Sequence, residues 1–352
     1  MCKKLIYFSY LLLLFTSCEE YYTPVIDTIG GQLVVEALLT NDASKNFVHL
    51  TTTSSFYDKM APKAVSGAVV ELVEVNGSPI QGVENVPGYF YFSIVPEVGR
   101  DYVLRIKINN ETFESKVVKM PPLPKITNCY SGYVEKKIYT TDAYGVPVAS
   151  VVQGRYIYTD LTVANSLSYY RFNVRSVLEW IYAPPAIGGP LPPQHFGWQS
   201  YFENAQFNIA GPKQFSQAGK IEKHPVLFLL YDTRSLLKPD STQNGWIVII
   251  DQYGTSKESY DFHEKLNSQF AANGSLFDPI QTQIYGNITC TSNPSKIAFG
   301  YFDLNSYQQY RYYIYMSAPD PNNPIIPRQI FRYPYIPDSG ETVTYPPDWW
   351  EL

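Results

Sequence analysis

The sequence predicts a mainly β protein: an N-terminal β-sandwich of immunoglobulin-like size over residues 31–120, followed by a larger β-rich domain over 126–352 with one short helix near 256–272. Three observations carry that prediction. The chain of 352 residues contains 31 Tyr and is 16% aromatic but only 17% charged, and aromatic and β-branched side chains suit the pleated faces of strands. Short runs of such residues recur between turn signals at the even spacing of a sandwich. Finally, Met120-Pro121-Pro122-Leu123-Pro124 ends the first series of runs. Closely spaced prolines cannot continue a ladder and stiffen the chain toward polyproline II, so residues 121–125 read as an interdomain linker.

Ahead of the first strand, Lys3 and Lys4 precede an apolar run from Leu5 to Phe15, then small Thr16 and Ser17, then Cys18. This is the layout of a secretory signal peptide over residues 1–17. The run falls short of the roughly 20 apolar residues that a spanning helix needs. The stretch resembles a bacterial lipobox, with Phe15 where that motif usually carries Leu. That resemblance implies acylation of Cys18 at its thiol and, after cleavage, at its amine, which anchors a protein without spanning the bilayer. Glu19 and Glu20 follow directly and resemble the acidic signal that sends Bacteroidota lipoproteins to the outer face of the outer membrane. Residues 18–30 are then anchor and tether. The alternative is an ordinary secreted protein with an incidental Cys18.

The first domain opens with Leu33-Val34-Val35-Glu36-Ala37-Leu38-Leu39. In Phe47 to Thr53 the alternation puts Phe47, His49 and Thr51 on one face and Val48, Leu50 and Thr52 on the other, which leaves His49 as an exposed strand residue. Ala68 to Val75 is followed by Asn76-Gly77, a strong hairpin signal. Gly88 to Phe92 and Tyr102 to Ile108 supply further strands, and Asn109-Asn110 turns the chain into Thr112 to Val118.

Beyond the linker, Tyr156 to Thr162 and Tyr169 to Arg175 are strand-like. From Tyr182 to Phe202 the prolines and glycines are expected to preclude regular structure, and long loops of that kind are often functional. Within and beside it sit Trp180, Tyr182, His195, Phe196, Trp198, Tyr201 and Phe202, a candidate binding loop for a protein or saccharide. The competing reading folds these rings into the domain's own core. Trp246 to Asp251 has the continuous apolar character of a buried strand. Thr255-Ser256-Lys257-Glu258 then fits a capping box with Thr255 as the cap. Phe262, Leu266 and Phe270, with Tyr260 beside them, form an apolar stripe, His263 lies near it as a packed residue, and Asn273-Gly274 closes the helix.

A net charge of −5 provides no basic patch for nucleic acid. Beyond Cys2 in the signal and Cys18 at the anchor, Cys129 and Cys290 remain, a pair that can bridge outside the inner membrane but whose spacing leaves the pairing open. His49, His195, His224 and His263 show no zinc spacing, and no metal or other cofactor is expected. Neither a G-x-S-x-G elbow nor a P-loop occurs. The carboxylate pair of a glycosidase is a property of the fold rather than of spacing, so a glycan-active enzyme stays as the lesser alternative.

Ser256-Lys257-Glu258-Ser259-Tyr260-Asp261-Phe262, Asp278-Pro279, Ile284-Tyr285-Gly286-Asn287-Ile288 and Ile297-Ala298-Phe299-Gly300-Tyr301-Phe302 together resemble the core of a Bacteroidota lipoprotein family, domain of unknown function 4249. Leu33-Val34-Val35-Glu36, Val65-Ser66-Gly67-Ala68, Gly99-Arg100-Asp101-Tyr102-Val103-Leu104 and Met120-Pro121-Pro122 agree in the N-terminal half. A cysteine-containing C-terminal segment of many members is absent. The resemblance implies an outer-membrane lipoprotein with a TonB-dependent transporter as partner and no known catalysis. Two expectations follow: a non-catalytic accessory or binding lipoprotein of such a transporter, and a structural envelope module with no ligand.

Overall fold

A computed structural model describes residues 31–54, 61–123, 125–142, 144–162, 168–182, 189, 195–202, 207–214, 219–230, 245–271, 283–315, 330–331 and 342–343. They form a mainly β structure with several sheets and one short α-helix.

The first ten strands are β1 (Leu33–Thr40), β2 (Phe47–Thr52), β3 (Lys63–Ala64), β4 (Val69–Glu74), β5 (Pro79–Gln81), β6 (Val83–Val86), β7 (Tyr89–Tyr91), β8 (Asp101–Ile108), β9 (Glu111–Ser115) and β10 (Val118–Lys119). Their period-2 patterns put one face inward, as Tyr102, Leu104 and Ile106 show in β8 and Val48 and Leu50 in β2. Both predicted turns form. Asn76 adopts φ 68° between β4 and β5, and Gly77 N–H donates to the Glu74 carbonyl at 2.8 Å. Asn109 and Asn110 adopt φ 47° and 63° between β8 and β9, the double positive φ that a two-residue type I′ hairpin requires.

After the prolines come β11 (Lys125–Thr141), β12 (Pro147–Thr162), β13 (Tyr169–Tyr182), β14 (His195–Phe202), β15 (Asn208–Ala210), β16 (Lys220–Leu230) and β17 (Gly245–Thr255). Helix α1 (Lys257–Phe270) follows, then β18 (Ile288–Cys290), β19 (Ala298–Tyr315), β20 (Ile330–Phe331) and β21 (Thr342–Val343). One long sheet runs β21-β14-β13-β17-β19-β1-β2-β7-β6, a second runs β18-β9-β8-β4-β5, and a third is β11-β12-β16.

The first core lies between β19-β1-β2-β7 and the second sheet, where Val35, Leu39, Leu50, Leu72, Phe90, Leu104 and Ile106 pack together. Residues far beyond the linker complete it. β1 pairs in parallel with β19 from Leu33 opposite Ala298 to Thr40 opposite Asn305, β18 pairs with β9, and Ile288, Cys290, Ala298, Phe302 and Leu304 enter the core. The linker therefore marks the exit from β10 but not the limit of the first core. The β1–β19 joint needs a glycine: Gly300 has φ +87°, and a Cβ there would lie 1.9 Å from the Val35 carbonyl oxygen.

The second core lies between the third sheet and β13, β17 and the end of β19. Val248 and Ile250 of β17 face it, while Ile247 and Ile249 pack on the other side with Val177 and Trp198. Burial on both faces is why this strand reads as a continuous apolar run.

Two expectations change. The ends of the aromatic segment expected as a loop are strand: Tyr182 closes β13 and His195–Phe202 is β14, which pairs antiparallel with β13, Tyr182 opposite His195, Glu179 opposite Trp198 and Arg175 opposite Phe202. The prolines cluster in the connection between these strands, so they do not interrupt the ladder. In α1 the cap is Ser256, not Thr255: Ser256 has extended φ/ψ and its Oγ accepts from Ser259 N–H at 3.1 Å. The inward face carries Ser259, Tyr260 and His263, whereas Phe270 is 62% exposed and Phe262 stacks on Tyr301 at 4.6 Å. His263 is packed as expected. Asn273-Gly274 lies outside the described residues.

Candidate functional site

Thr255, Ser256 and Lys257 form the junction where β17 ends and α1 starts. Opposite this junction the chain leaves the first sandwich through Pro121, Pro122 and Leu123. A cavity of about 410 Å³ opens between them, walled also by Lys125, Thr162, Tyr169 and Tyr170. Its size suits a small ligand. Ser306 Oγ donates to the Pro122 carbonyl at 2.6 Å, which fixes one wall on β19. The first helical amides lack partners within the helix. Ser256 Oγ takes that of Ser259 and the Ser256 carbonyl that of Tyr260, which leaves those of Lys257 and Glu258 at the positive end of the helix dipole. Thr255 is 5% exposed, and its hydroxyl has no hydrogen-bond partner among the described residues.

Beneath the cavity, α1 is tied to β13 and β19 by a buried polar node. Ser259 Oγ donates to Asp303 Oδ1. His263 Nδ1 lies 2.8 Å from the Ser259 carbonyl, so it carries the proton, and Nε2 accepts from Arg171 Nη1 at 3.3 Å. Asp303 Oδ2 lies 3.7 Å from Arg171 and 3.6 Å from His263. Burial lowers the His263 pKa, with Arg171 adding to it and Asp303 opposing, so the ring is neutral, in agreement with the hydrogen bonds. The residue types are those of a hydrolytic triad, but the connections are not: the serine proton goes to the carboxylate and the histidine lone pair to arginine. These groups are nearly inaccessible and bind the helix to the sheets.

A second cleft of about 470 Å³ follows β16 and is walled by His224, Asn208, Phe172, Tyr156, Phe228 and Lys136 among others. Asn208 Nδ2 donates to the Pro225 carbonyl at 2.9 Å, which orients its Oδ1 toward His224 Nε2 at 2.6 Å. Burial pushes the His224 pKa down to about 4. Tyr156 and Phe228 pair at 4.9 Å under Lys136, whose Nζ is 5.2 Å from the Phe228 ring centre. Gly154 makes room, since a Cβ there would lie 2.5 Å from Phe228 Cζ. The lysine stem thus covers the ring faces rather than leaving them open.

Of the residues singled out by sequence, Cys18, Glu19 and Glu20 lie outside the described residues. Trp180 and Tyr182 lie on β13, and His195, Phe196, Trp198, Tyr201 and Phe202 on β14. Trp198 is buried in the domain's own core. Cys129 and Cys290 are free thiols buried in different cores, so the pair is not bridged. Burial, helped by Asp160, pushes the Cys129 thiol up to about 12. His49 is half-buried, stacked on Tyr89 at 3.8 Å. Among the described residues no three His, Cys, Asp or Glu side chains converge to hold a metal ion, and no helix is long and apolar enough to cross a membrane.

Sequence reading missed Thr255 and Lys125 as cavity residues. The available signal was the pairing of a Pro-rich exit with a strand-to-helix junction, but those segments lie far apart in the chain and only the sheet topology brings them together.

No curated protein and no solved structure matches this chain. A family model described as domain of unknown function (DUF4249) matches residues 19–311, from the acidic pair behind Cys18 into β19, and the chain belongs to that family.

Proposed function

We propose that this chain is a lipid-anchored protein on the outer face of the outer membrane, where it works without catalysis as a binding accessory of a TonB-dependent transporter. The observation that carries this reading is the order Ser17-Cys18-Glu19-Glu20 immediately before, and at the start of, the matched family region. In this reading the N-terminal immunoglobulin-like layers are the stalk, and the second unit, which holds cavities of about 410 and 470 Å³, meets the ligand or the partner barrel. Anchoring and display are tested together. Cys18→Ala is expected to release the protein from the outer membrane fraction. Glu19→Ala with Glu20→Ala is expected to keep the lipid but shield the protein from protease added to intact cells. The parent is expected to be cleaved by that protease and to co-purify with a large outer-membrane β-barrel. Retention of the Cys18→Ala variant in the membrane, or full protection of the parent, overturns the localisation. Purification of the parent without any barrel overturns the partnership and leaves the structural envelope module as the reading.

A further inference from the structure

We propose that the cavity between the Pro121–Leu123 exit and the start of α1 binds a small carboxylate with an apolar body, such as an aryl or short alkyl acid. The proposal rests on the reading of the chain as a binding protein, but not on its transporter partnership. Four features converge. Pro121, Pro122 and Leu123 wall one side, and Tyr169 and Tyr170 wall another, which suits a hydrocarbon or aromatic body. At the polar end lies Lys257, whose amide is one of the first helical amides without a partner inside the helix, at the terminus that favours an anion. Lys125 adds a positive side chain to the lining, whereas the Lys257 ammonium is already paired with Asp261. The Glu258 carboxylate, on the same first turn, is not part of the lining.

The fourth feature is the Thr255 hydroxyl. It belongs to a residue that is 5% exposed, lines the cavity and has no hydrogen-bond partner among the described residues. A buried hydroxyl left unmatched costs stability, and a carboxylate oxygen in the cavity would accept its proton. Two donors, the Lys257 amide and the Thr255 hydroxyl, at one end of a largely apolar chamber fit one carboxylate. A free phosphate, with more oxygens to satisfy, would leave the apolar walls unused.

The test is a calorimetric titration of the full chain, purified in a non-ionic detergent, with benzoate, benzamide and inorganic phosphate. Benzoate is expected to saturate, with the neutral isostere benzamide and the phosphate each at least about tenfold weaker. Thr255→Val is expected to weaken benzoate by about fivefold or more without lowering the melting temperature, because it removes an unsatisfied polar group. Thr255→Ser keeps binding, and Lys125→Gln weakens it. Absence of saturation by about 10 mM, equal binding of benzamide, or unchanged benzoate affinity in Thr255→Val overturns the proposal. A fall in melting temperature of Thr255→Val with unchanged benzoate binding assigns the hydroxyl to the fold instead. Because the titration needs no barrel, its outcome is independent of co-purification.

Discussion

The two halves of the molecule handle buried polar groups differently. In the first sandwich most buried amide side chains are satisfied by the backbone, Asn305 at the β1–β19 joint being the exception among the described residues: Asn46 accepts from Thr40 N–H at 2.6 Å and donates to the Ile94 carbonyl at 2.8 Å. Asn287 there bonds both N–H and C=O of Phe302 at 2.8 and 2.9 Å. In the second unit Arg155 Nε, Thr159 Oγ1, Arg171 Nε, Gln252 Nε2 and Thr255 Oγ1 are buried without partners among the described residues. Cavities of about 410 and 470 Å³ lie there as well. Unmatched polar groups are costly, and native structures retain them where something else is served. The contrast is one of degree: the first half is the better matched, although it too has a cavity, of about 310 Å³ beside Leu33, Phe113 and Ile297, and the second carries more of the features that suit contact with something else.

The largest expected effect lies on the platform. Gly300→Ala would push a methyl group into the Val35 carbonyl at a positive φ, and the combined strain and overpacking should cost about 3 to 5 kcal/mol in denaturant unfolding. A loss under about 1 kcal/mol would mean that the β1–β19 joint is not what closes the first core.

In the second unit, Asp303→Asn leaves the Arg171 guanidinium buried with no carboxylate beside it and should cost a similar 3 to 5 kcal/mol. Asp303→Asn combined with Arg171→Met should recover much of that, since removal of both charges also removes the desolvation penalty. If the double variant is as unstable as the sum of the singles, the node is not a coupled pair.

The pH dependence should be one-sided. His224 has its pKa pushed down to about 4 in the fold, against about 6.5 in an unfolded chain. As pH falls below 6.5 the unfolded state binds the proton first, so stability declines between about pH 6.5 and 4 and then levels off, by on the order of 3 kcal/mol. His263, lowered by burial, acts in the same direction. His224→Gln should flatten part of this slope, and a stability that rises on acidification through that window contradicts the neutral burial of the ring. The smallest effect separates the two hydroxyls at the helix start: Ser256→Ala removes the cap and should cost about 1 kcal/mol.

Much of the fold was legible because local chemistry decides it. The alternation in β8, the Asn76-Gly77 turn and the two-faced run in β17 each express one physical rule within a few residues. Three features were not legible for identifiable reasons. The β1–β19 pairing joins residues about 265 positions apart, so no window contains it. The β13–β14 hairpin was hidden because its prolines sit in the connection while its strands carry the rings. The buried part of α1 is Ser259, Tyr260 and His263. Ser259 and His263 share the stripe of Leu266 and Phe270, but Arg171 and Asp303 recruit the polar members near the start of the helix, while Phe270, at its end, is 62% exposed, which hydrophobic periodicity alone does not show. The candidate cavity was the least legible part, because Thr255, Lys125 and Tyr169 come together only through sheet order.

The most direct test of the contrast between the better-matched platform and a ligand-ready second unit is amide hydrogen exchange of the full chain with and without benzoate. The account predicts slowed exchange at Tyr169, Tyr170 and Lys257, which line the cavity, when benzoate is present, with the amides of β1, β2 and β8 unchanged. Protection that appears only in those platform strands, or that is the same in both halves, would contradict it.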